Sequence, residues 1–457
     1  MTSFYTTRIM RVFLISLIGS LAALNTISAY QVYTSNNATN NVSVIDTRTN
    51  TVVATVTVGS SPQYIIVSPT GAAAYVANFS GNSVSVIDTT THTVSATVTV
   101  GTGPLYLTAT PSGNAVYVAN FTAGTVSVIN TATNTVIATI SAGTNPGFIV
   151  ASPDGNMVYV VSQGSQAIRA ISTASNAVAA TITVGMVPQY IAVSPDSQRV
   201  YVSNGSSANV SVISAATNTV VATITVGTLP RFLSVTPDGS TLYVTNSGSA
   251  NMSVISTASN AVTATISVGM STEFFTITAD GSRVYVNNVA GNTLAIETAT
   301  NTVVATIAAG VSPAQIISTP DSQSVYVGDT ILDNVSAIST ASNTVASTIT
   351  VGGNPFFLAV SPQPNSVVYG NARRNSFFIQ TELFNEIGWT PPTNIGLVAS
   401  YQIYRNAALT DLIGTVSSST FGIKDHNRVQ NQSYTYYVVA TLQNGSIEVL
   451  GNVTVSD

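Results

Sequence analysis

Short runs in which apolar residues alternate with hydroxyls and amides recur, four to a unit, along most of the chain. In one unit, residues 188–195 (PQYIAVSP), 199–203 (RVYVS), 209–214 (NVSVIS) and 219–226 (TVVATITV) are β-branched or aromatic and predict four strands. The tracts between them, Pro-Asp-Ser, Asn-Gly-Ser-Ser and Ala-Ala-Thr-Asn, fix φ, tolerate φ > 0 or bond their own backbone, and predict turns. Nothing beyond the first thirty residues has a helical period.

One tyrosine marks the unit, at Tyr33, Tyr75, Tyr117, Tyr159, Tyr201, Tyr243, Tyr285 and Tyr326, with a weaker ninth copy at Tyr369. Six successive steps are 42 residues, followed by 41 and 43. That period fits one four-stranded propeller blade. The repeat region opens with only three strands (31–34, 41–46 and 51–58) and ends on an isolated innermost strand (355–362). Pairing the last with the first three would complete a blade and hide two edges that otherwise template aggregation. The expected fold is all-β: an eight-bladed β-propeller, with seven blades as the alternative, followed by a small β-sandwich.

The N-terminus adds a leader. Arg8 and Arg11 precede an apolar run over 12–24, and Ile27 and Ala29 form a tolerable cleavage pair before Tyr30. The run is short for a bilayer span. Residues 1–29 are therefore expected to be a signal peptide, with an uncleaved anchor as the alternative. Residues 30–373 form the propeller and 374–457 a second domain.

Motifs within the units carry a family likeness. Tyr-Val-Ala-Asn at 75–78 and 117–120, Tyr-Val-Thr-Asn at 243–246, Ser-Pro-Asp-Gly at 152–155 and Val-Ser-Val-Ile-Asp at 84–88 resemble YVTN-repeat β-propellers. That family is similar to archaeal surface-layer propellers and related exported bacterial proteins, and the likeness covers roughly 30–370. It implies a fold and an extracellular setting and is nearly silent about ligand. Val160, Val161 and Ser162 after Tyr159, and Gly328 and Asp329 after Tyr326, depart from the pattern. In the tail, Trp389 before Pro391 and Pro392, then Tyr-Gln-Ile-Tyr-Arg at 401–405, resembles a fibronectin type III domain, with Tyr434 a candidate for its tyrosine corner. An Asn-Gly pair at 444–445 suits a tight hairpin.

Composition narrows the function. Charged residues are 6% of the chain against roughly 25% in typical globular proteins, so solubility rests on hydroxyls and amides. Net charge is −5, or −7 without Arg8 and Arg11, which leaves no basic surface for nucleic acid. Without cysteine there is no disulfide or thiolate metal site. Two histidines, His92 and His426, fall in different domains, which excludes a histidine cluster. His92 stands where neighbouring units have Asn134 and Asn218, as expected of a turn residue. Asp154, Asp196, Asp238, Asp280 and Asp321 repeat at one blade position, and a residue used once per blade reads as a turn cap rather than an acid or base. Asp329 and Asp333 form the one close carboxylate pair in the propeller that could hold a rim cation. No cofactor or metal is assigned.

Positions that vary within an otherwise constant unit point to ligand contact. Near the start of the innermost strand these are Gln63, Leu105, Gly147, Gln189, Arg231, Glu273, Ala314 and Phe356. Beside them stand Tyr64, Tyr106, Phe148, Tyr190, Phe232, Phe274, Gln315 and Phe357, a set that either packs between blades or faces the central funnel. Gln63, Gln189, Arg231 and Glu273 with Tyr64, Tyr106 and Tyr190 are the candidate ligand-binding residues. Eleven Asn-x-Ser/Thr sequons, among them Asn37, Asn78, Asn120, Asn251 and Asn334, follow from a composition rich in all three residues. The expected function is a non-enzymatic extracellular or cell-surface scaffold or adhesion protein, secreted or periplasmic, that contacts a cell-surface protein or glycan. An exported binder of a small molecule or glycan, or a propeller hydrolase or lactonase, are the alternatives.

Overall fold

The computed structural model describes residues 30–269, 274–362, 368–377, 380–389, 398–405, 412–417, 422–425, 434–442 and 447–455. Eight four-stranded antiparallel sheets occupy 31–360. Seven use four consecutive strands, as in the fifth blade: Pro188–Val193 innermost, then Arg199–Asn204, Asn209–Ser214 and Thr219–Thr225. The first blade has the order Thr51–Thr57, Asn41–Asp46, Gln31–Asn36, Pro355–Val360. Its innermost strand thus comes from the far end of the repeat, with Val32 opposite Val360 and Thr34 opposite Leu358. The ring closes on eight blades, and the seven-bladed alternative is excluded.

The core lies between blades. Residues of one blade's second and third strands, such as Tyr75, Ala77, Val84 and Val86, pack on Leu107, Val116, Val118 and Ile129 of the next. The repeated tyrosine is buried in every blade, and the hydroxyls of Tyr117, Tyr243, Tyr285 and Tyr326 cross to the neighbour. Tyr243 donates to Asn301 Oδ1 at 2.9 Å, Tyr285 to Asn343 at 2.7 Å and, across the closing seam, Tyr326 to Asn50 at 2.6 Å. Those asparagines end the turn between third and outer strands with φ of +55°, +52° and +52°, a left-handed conformation asparagine tolerates better than most residues. His92 takes the same conformation at φ +53°. Tyr33 donates to Gln31 Oε1, and Gln31 Nε2 lies 3.4 Å from His92 Nε2, so a glutamine bridges the one junction where histidine replaces asparagine.

Turns between second and third strands bond the loops that lead into the innermost strands, as in Gly205 N–H to Val187 O at 2.9 Å and Thr330 N–H to Ser312 O at 3.2 Å. These loops form what we term the upper face. Turns between third and outer strands bond the first-to-second turns, as in Thr89 Oγ1 to Gly71 O at 2.6 Å, and form the lower face. A recurrent glycine ends the outer strand because the residue closing the second strand leaves no room: a Cβ on Gly59 would lie 2.6 Å from the Asn78 amide, and one on Gly310 2.1 Å from Asp329 Oδ2. Outer strands are the exposed edges. Each carries a register shift against the third strand, such as that between Val44 and Ile45, and the bulge blunts edge-to-edge pairing.

Beyond the propeller, two further antiparallel sheets form. One has the order Val368–Phe377, Gln380–Trp389, Gly422–Asp425 and the other Leu412–Ser417, Val398–Tyr404, Tyr434–Leu442, Ile447–Val455. The ninth tyrosine, Tyr369, pairs with Gly388 in the first of these, and that strand spans the 373/374 position. Tyr401 and Ile403, and Tyr436 and Val438, are buried at alternate positions. The Asn-Gly pair at 444–445 lies outside the described residues. Among the described residues no helix is long and apolar enough to cross a membrane.

Candidate functional site

The innermost strands begin with a bulge. In the second blade Pro62 pairs with Asn78 and Ile65 with Val76, which leaves Gln63 and Tyr64 opposite one residue. The same irregularity holds Gln189 and Tyr190, Arg231 and Phe232, and Ala314 and Gln315. A bulge re-aims side chains, and here it brings the aromatic member of each pair to the axis. Tyr64, Tyr106, Phe148, Tyr190, Phe232, Phe274 and Phe357 form a closed cycle with neighbouring centroids 5.2, 5.4, 5.2, 5.5, 5.6, 6.0 and 4.9 Å apart. An open ring would put next-but-one members nearly twice as far apart as neighbours. Tyr64 and Phe148 are only 6.2 Å apart, and Tyr190 and Phe274 5.8 Å. The rings have collapsed into a plug with tilted and edge-to-face contacts, the geometry their quadrupoles favour.

The plug fixes where the candidate residues stand. Tyr190 is buried, and Tyr64 and Tyr106 are half-buried with their ring surfaces taken up by neighbouring rings. Burial, followed by the neighbouring Tyr106, pushes the Tyr64 hydroxyl far above the usual tyrosine range. Gln63, Gln189 and Arg231 are half-buried at the upper mouth of the plug, in the second, fifth and sixth blades. Glu273 lies outside the described residues. The Gln189 side chain covers the upper turn of its own blade, 3.5 Å from where a Cβ on Gly205 would be. In the fourth blade, where Gly147 offers no side chain, Gln163 fills the space from a short 3₁₀ turn at Gln163–Ser165. That turn accounts for the departure after Tyr159.

The eighth blade breaks the pattern at several points that meet in space. It supplies Gln315 where seven blades supply an aromatic ring, and Ala314 where every other blade but the fourth, with Gly147, carries a longer side chain. Above Ala314 lies a cavity of about 200 Å³, walled by Phe274, Asn287, Asn288, Val289, Ser312, Pro313, Thr330 and Phe356. Grooves of about 300 and 220 Å³ on the lower face, beside Tyr243 and Tyr159, are lined by the repeat's own turn residues. Repetition there reflects packing, whereas the eighth-blade cavity exists because the repeat fails.

Asp329 closes the same region. It replaces the asparagine of other blades, is fully buried, and accepts four backbone N–H groups: Val311, Ser312 (3.2 Å), Ile331 (2.9 Å) and Leu332 (2.9 Å). Burial alone would raise its pKa, but the four amides outweigh that and hold the carboxyl below the usual range. Asp333 accepts from Asn354 N–H at 2.7 Å. Both carboxylates are thus engaged by backbone donors, and among the described residues no three His, Asp or Glu side chains gather as a metal site. Asp329→Asn restores the residue of the neighbouring blades yet turns an amide against one pair of N–H donors. It should destabilise the protein by about 1–3 kcal/mol, and an unchanged urea midpoint would contradict this account.

The remaining carboxylates cap turns. Asp154 accepts from Ser152 Oγ at 2.5 Å and Asn156 N–H at 3.1 Å; Asp196, Asp238, Asp280 and Asp321 repeat that arrangement. Hydroxyl donation from Ser194 and Thr236 leads the lowering of the Asp196 and Asp238 pKa values, which makes both weak bases. Sequons at Asn78, Asn120 and Asn204 are fully buried, with each Nδ2 donating to serine, so they are packing residues.

Comparison with known proteins agrees with this architecture. Residues 26–139, 130–223 and 191–267, together more than half the chain, match the family described as Lactonase, 7-bladed beta-propeller. The chain belongs to that family. It differs in blade number, and its seventh and eighth blades lie beyond the matched stretch. No curated protein matches the sequence. Among solved structures it is similar to Kuenenia stuttgartiensis hydrazine synthase (TM-score 0.53, 24% identity, 61% of this chain and 96% of that one). It is also similar to dihydro-heme d1 dehydrogenase NirN in complex with DHE (TM-score 0.62, 15% identity, 72% and 74%). A third is a functionally unknown protein from Desulfotomaculum acetoxidans DSM 771 (TM-score 0.52, 14% identity, 72% and 98%). At these identities the likeness shows the fold.

Proposed function

We propose that this protein is an exported, non-enzymatic scaffold or adhesion module that binds a cell-surface partner through the upper face of the propeller. The observation that carries the reading is the division of the two faces. Met186, Val187, Leu229, Val289, Val311, Ile331 and Leu332 stand exposed on the upper face from the fifth to the eighth blade, with Val289 61% and Ile331 65% accessible. The lower face holds the turn carboxylates. Exposed apolar side chains gathered on one arc mark an interaction surface. Gln63, Gln189 and Arg231 at the mouth of the plug supply polar contacts at its margin. The family name raises a lactonase, but among the described residues the carboxylates cap turns or meet backbone amides and form no acid–base pair.

The Tyr-Val-x-Asn units support membership of the YVTN-repeat propellers, and the three- and four-stranded tail sheets suit a fibronectin-like spacer. Tyr30, buried with its N–H on Thr47 Oγ1 at 2.9 Å, is packed into the propeller, and Ile27 and Ala29 before it support a mature chain that starts there. In the producing cell the protein should fractionate with the envelope, begin at Tyr30, and resist about 0.5 M salt because few charges steer binding. Val311→Asp with Ile331→Asp should release it to the medium at unchanged melting temperature. Wild-type protein found only in the medium, or hydrolysis of a lactone panel followed by pH-stat, would overturn the reading.

A further inference from the structure

We infer that the eighth-blade cavity is a socket for one uncharged aromatic ring, presented as the side chain of a partner protein; this deepens the upper-face reading and rests on it. The size fits: apolar cavities of about 150 Å³ take up benzene, and this one is about 200 Å³. Phe274 and Phe356 wall it and would meet a ring edge-to-face.

Among the described residues, each polar side chain of its wall already has a protein partner. Asn287 Nδ2 donates to Ala314 O at 2.9 Å and its Oδ1 accepts from Thr293. Asn288 Nδ2 donates to Val268 O at 3.1 Å, and its Oδ1 accepts from Ala290 and Asn292 N–H groups. Thr330 Oγ1 meets Ser312 at 3.1 Å. A sugar ring would lose its hydrogen bonds to water and find few in return, which costs more than an apolar contact recovers. An aromatic ring has no such deficit. Val311 and Ile331, exposed beside the cavity, favour a protein as the source: a free aromatic molecule would leave them in water, while residues flanking an anchoring ring would cover them.

The test uses the full mature chain and three probes followed by NMR: p-cresol, N-acetyl-Val-Tyr-Val-amide and methyl glucoside. Ala314→Gln places in the socket the side chain that other blades carry there. In the wild type, p-cresol should bind saturably and shift the Ala314, Thr330 and Phe356 amides, and the tripeptide should bind more tightly. Ala314→Gln should weaken both by about tenfold or more with an unchanged melting temperature. Absent p-cresol saturation, insensitivity to Ala314→Gln, or methyl glucoside shifting the same amides more strongly would overturn the socket. If p-cresol binds as well as the tripeptide, the protein source is overturned. Loss of envelope retention in the Val311→Asp, Ile331→Asp variant that leaves p-cresol binding intact separates failure of the socket from failure of the surface reading.

Discussion

Removing residues 355–360 should abolish the cooperative fold. The segment donates the innermost strand of the first blade, where Tyr33 faces Ala359 and Ser35 faces Phe357. Its loss would bare the edge of Gln31–Asn36 and the innermost strands of the second and eighth blades, which pack on it from either side. It would also take Phe357 from the plug, where that ring lies 4.9 Å from Tyr64, 5.9 Å from Tyr106 and 4.8 Å from Phe356. Burying Phe357 and Leu358 alone is worth roughly 3–6 kcal/mol, and the ladder hydrogen bonds add to it. A typical domain is stable by only about 5–15 kcal/mol. The deletion variant should therefore aggregate or melt without a cooperative transition. A sharp transition at the wild-type temperature would mean that the first and last strands do not close the ring.

That closure was legible because strand counting needs only spacing: three strands at one end and one at the other define a shared blade. The fate of the aromatic set was not. Alternation and period say that Tyr64, Tyr106 and Tyr190 share a position, but whether seven rings leave a funnel or meet across it depends on the bulge that tips them inward and on the radius of eight blades. The packing alternative and the ligand-facing one gave the same pattern in sequence. The eighth blade was visible only in fragments. Ala314, Gln315, Gly328 and Asp329 each break a column of the repeat, yet only Ala314 lines the cavity, and its meeting there with Asn288, Thr330 and Phe356 is a property of the folded turns. Asp329 looked like half of a cation site, since its amide donors, at 311–312 and 331–332, carry no side-chain signal. His92 reads from its column as a turn residue, and its backbone conformation fits; its link to Tyr33 runs through Gln31, a residue unique to the first blade.

Above pH 10 the propeller should lose stability steeply, and its tyrosines should be the cause. Burial, followed by the charge of Asp238, pushes the Tyr243 hydroxyl up to about 12 from an ordinary value of 10.0. Burial likewise leads the rise at Tyr75, Tyr117, Tyr159, Tyr201 and Tyr285, and at Tyr33 and Tyr326 the rise is larger. The protonated form is the one the fold favours. Each such group therefore contributes fully below pH 10, where the unfolded tyrosine is still protonated, and its contribution disappears as pH rises through the folded value. At Tyr243 the rise corresponds to roughly 2–3 kcal/mol. Deprotonation would also remove the donor that Tyr243, Tyr285 and Tyr326 present to the next blade, so those junctions should weaken over the same window. The chain has one lysine, Lys424, in the tail, and few other groups titrate there to blur the effect. The melting temperature should hold between pH 8 and 9.5 and fall sharply between about 10 and 12, and Tyr243→Phe should reduce the slope of that fall while lowering stability at pH 8. A melting temperature at pH 11.5 equal to that at pH 9 would show that the blade-to-blade tyrosines do not set the alkaline limit.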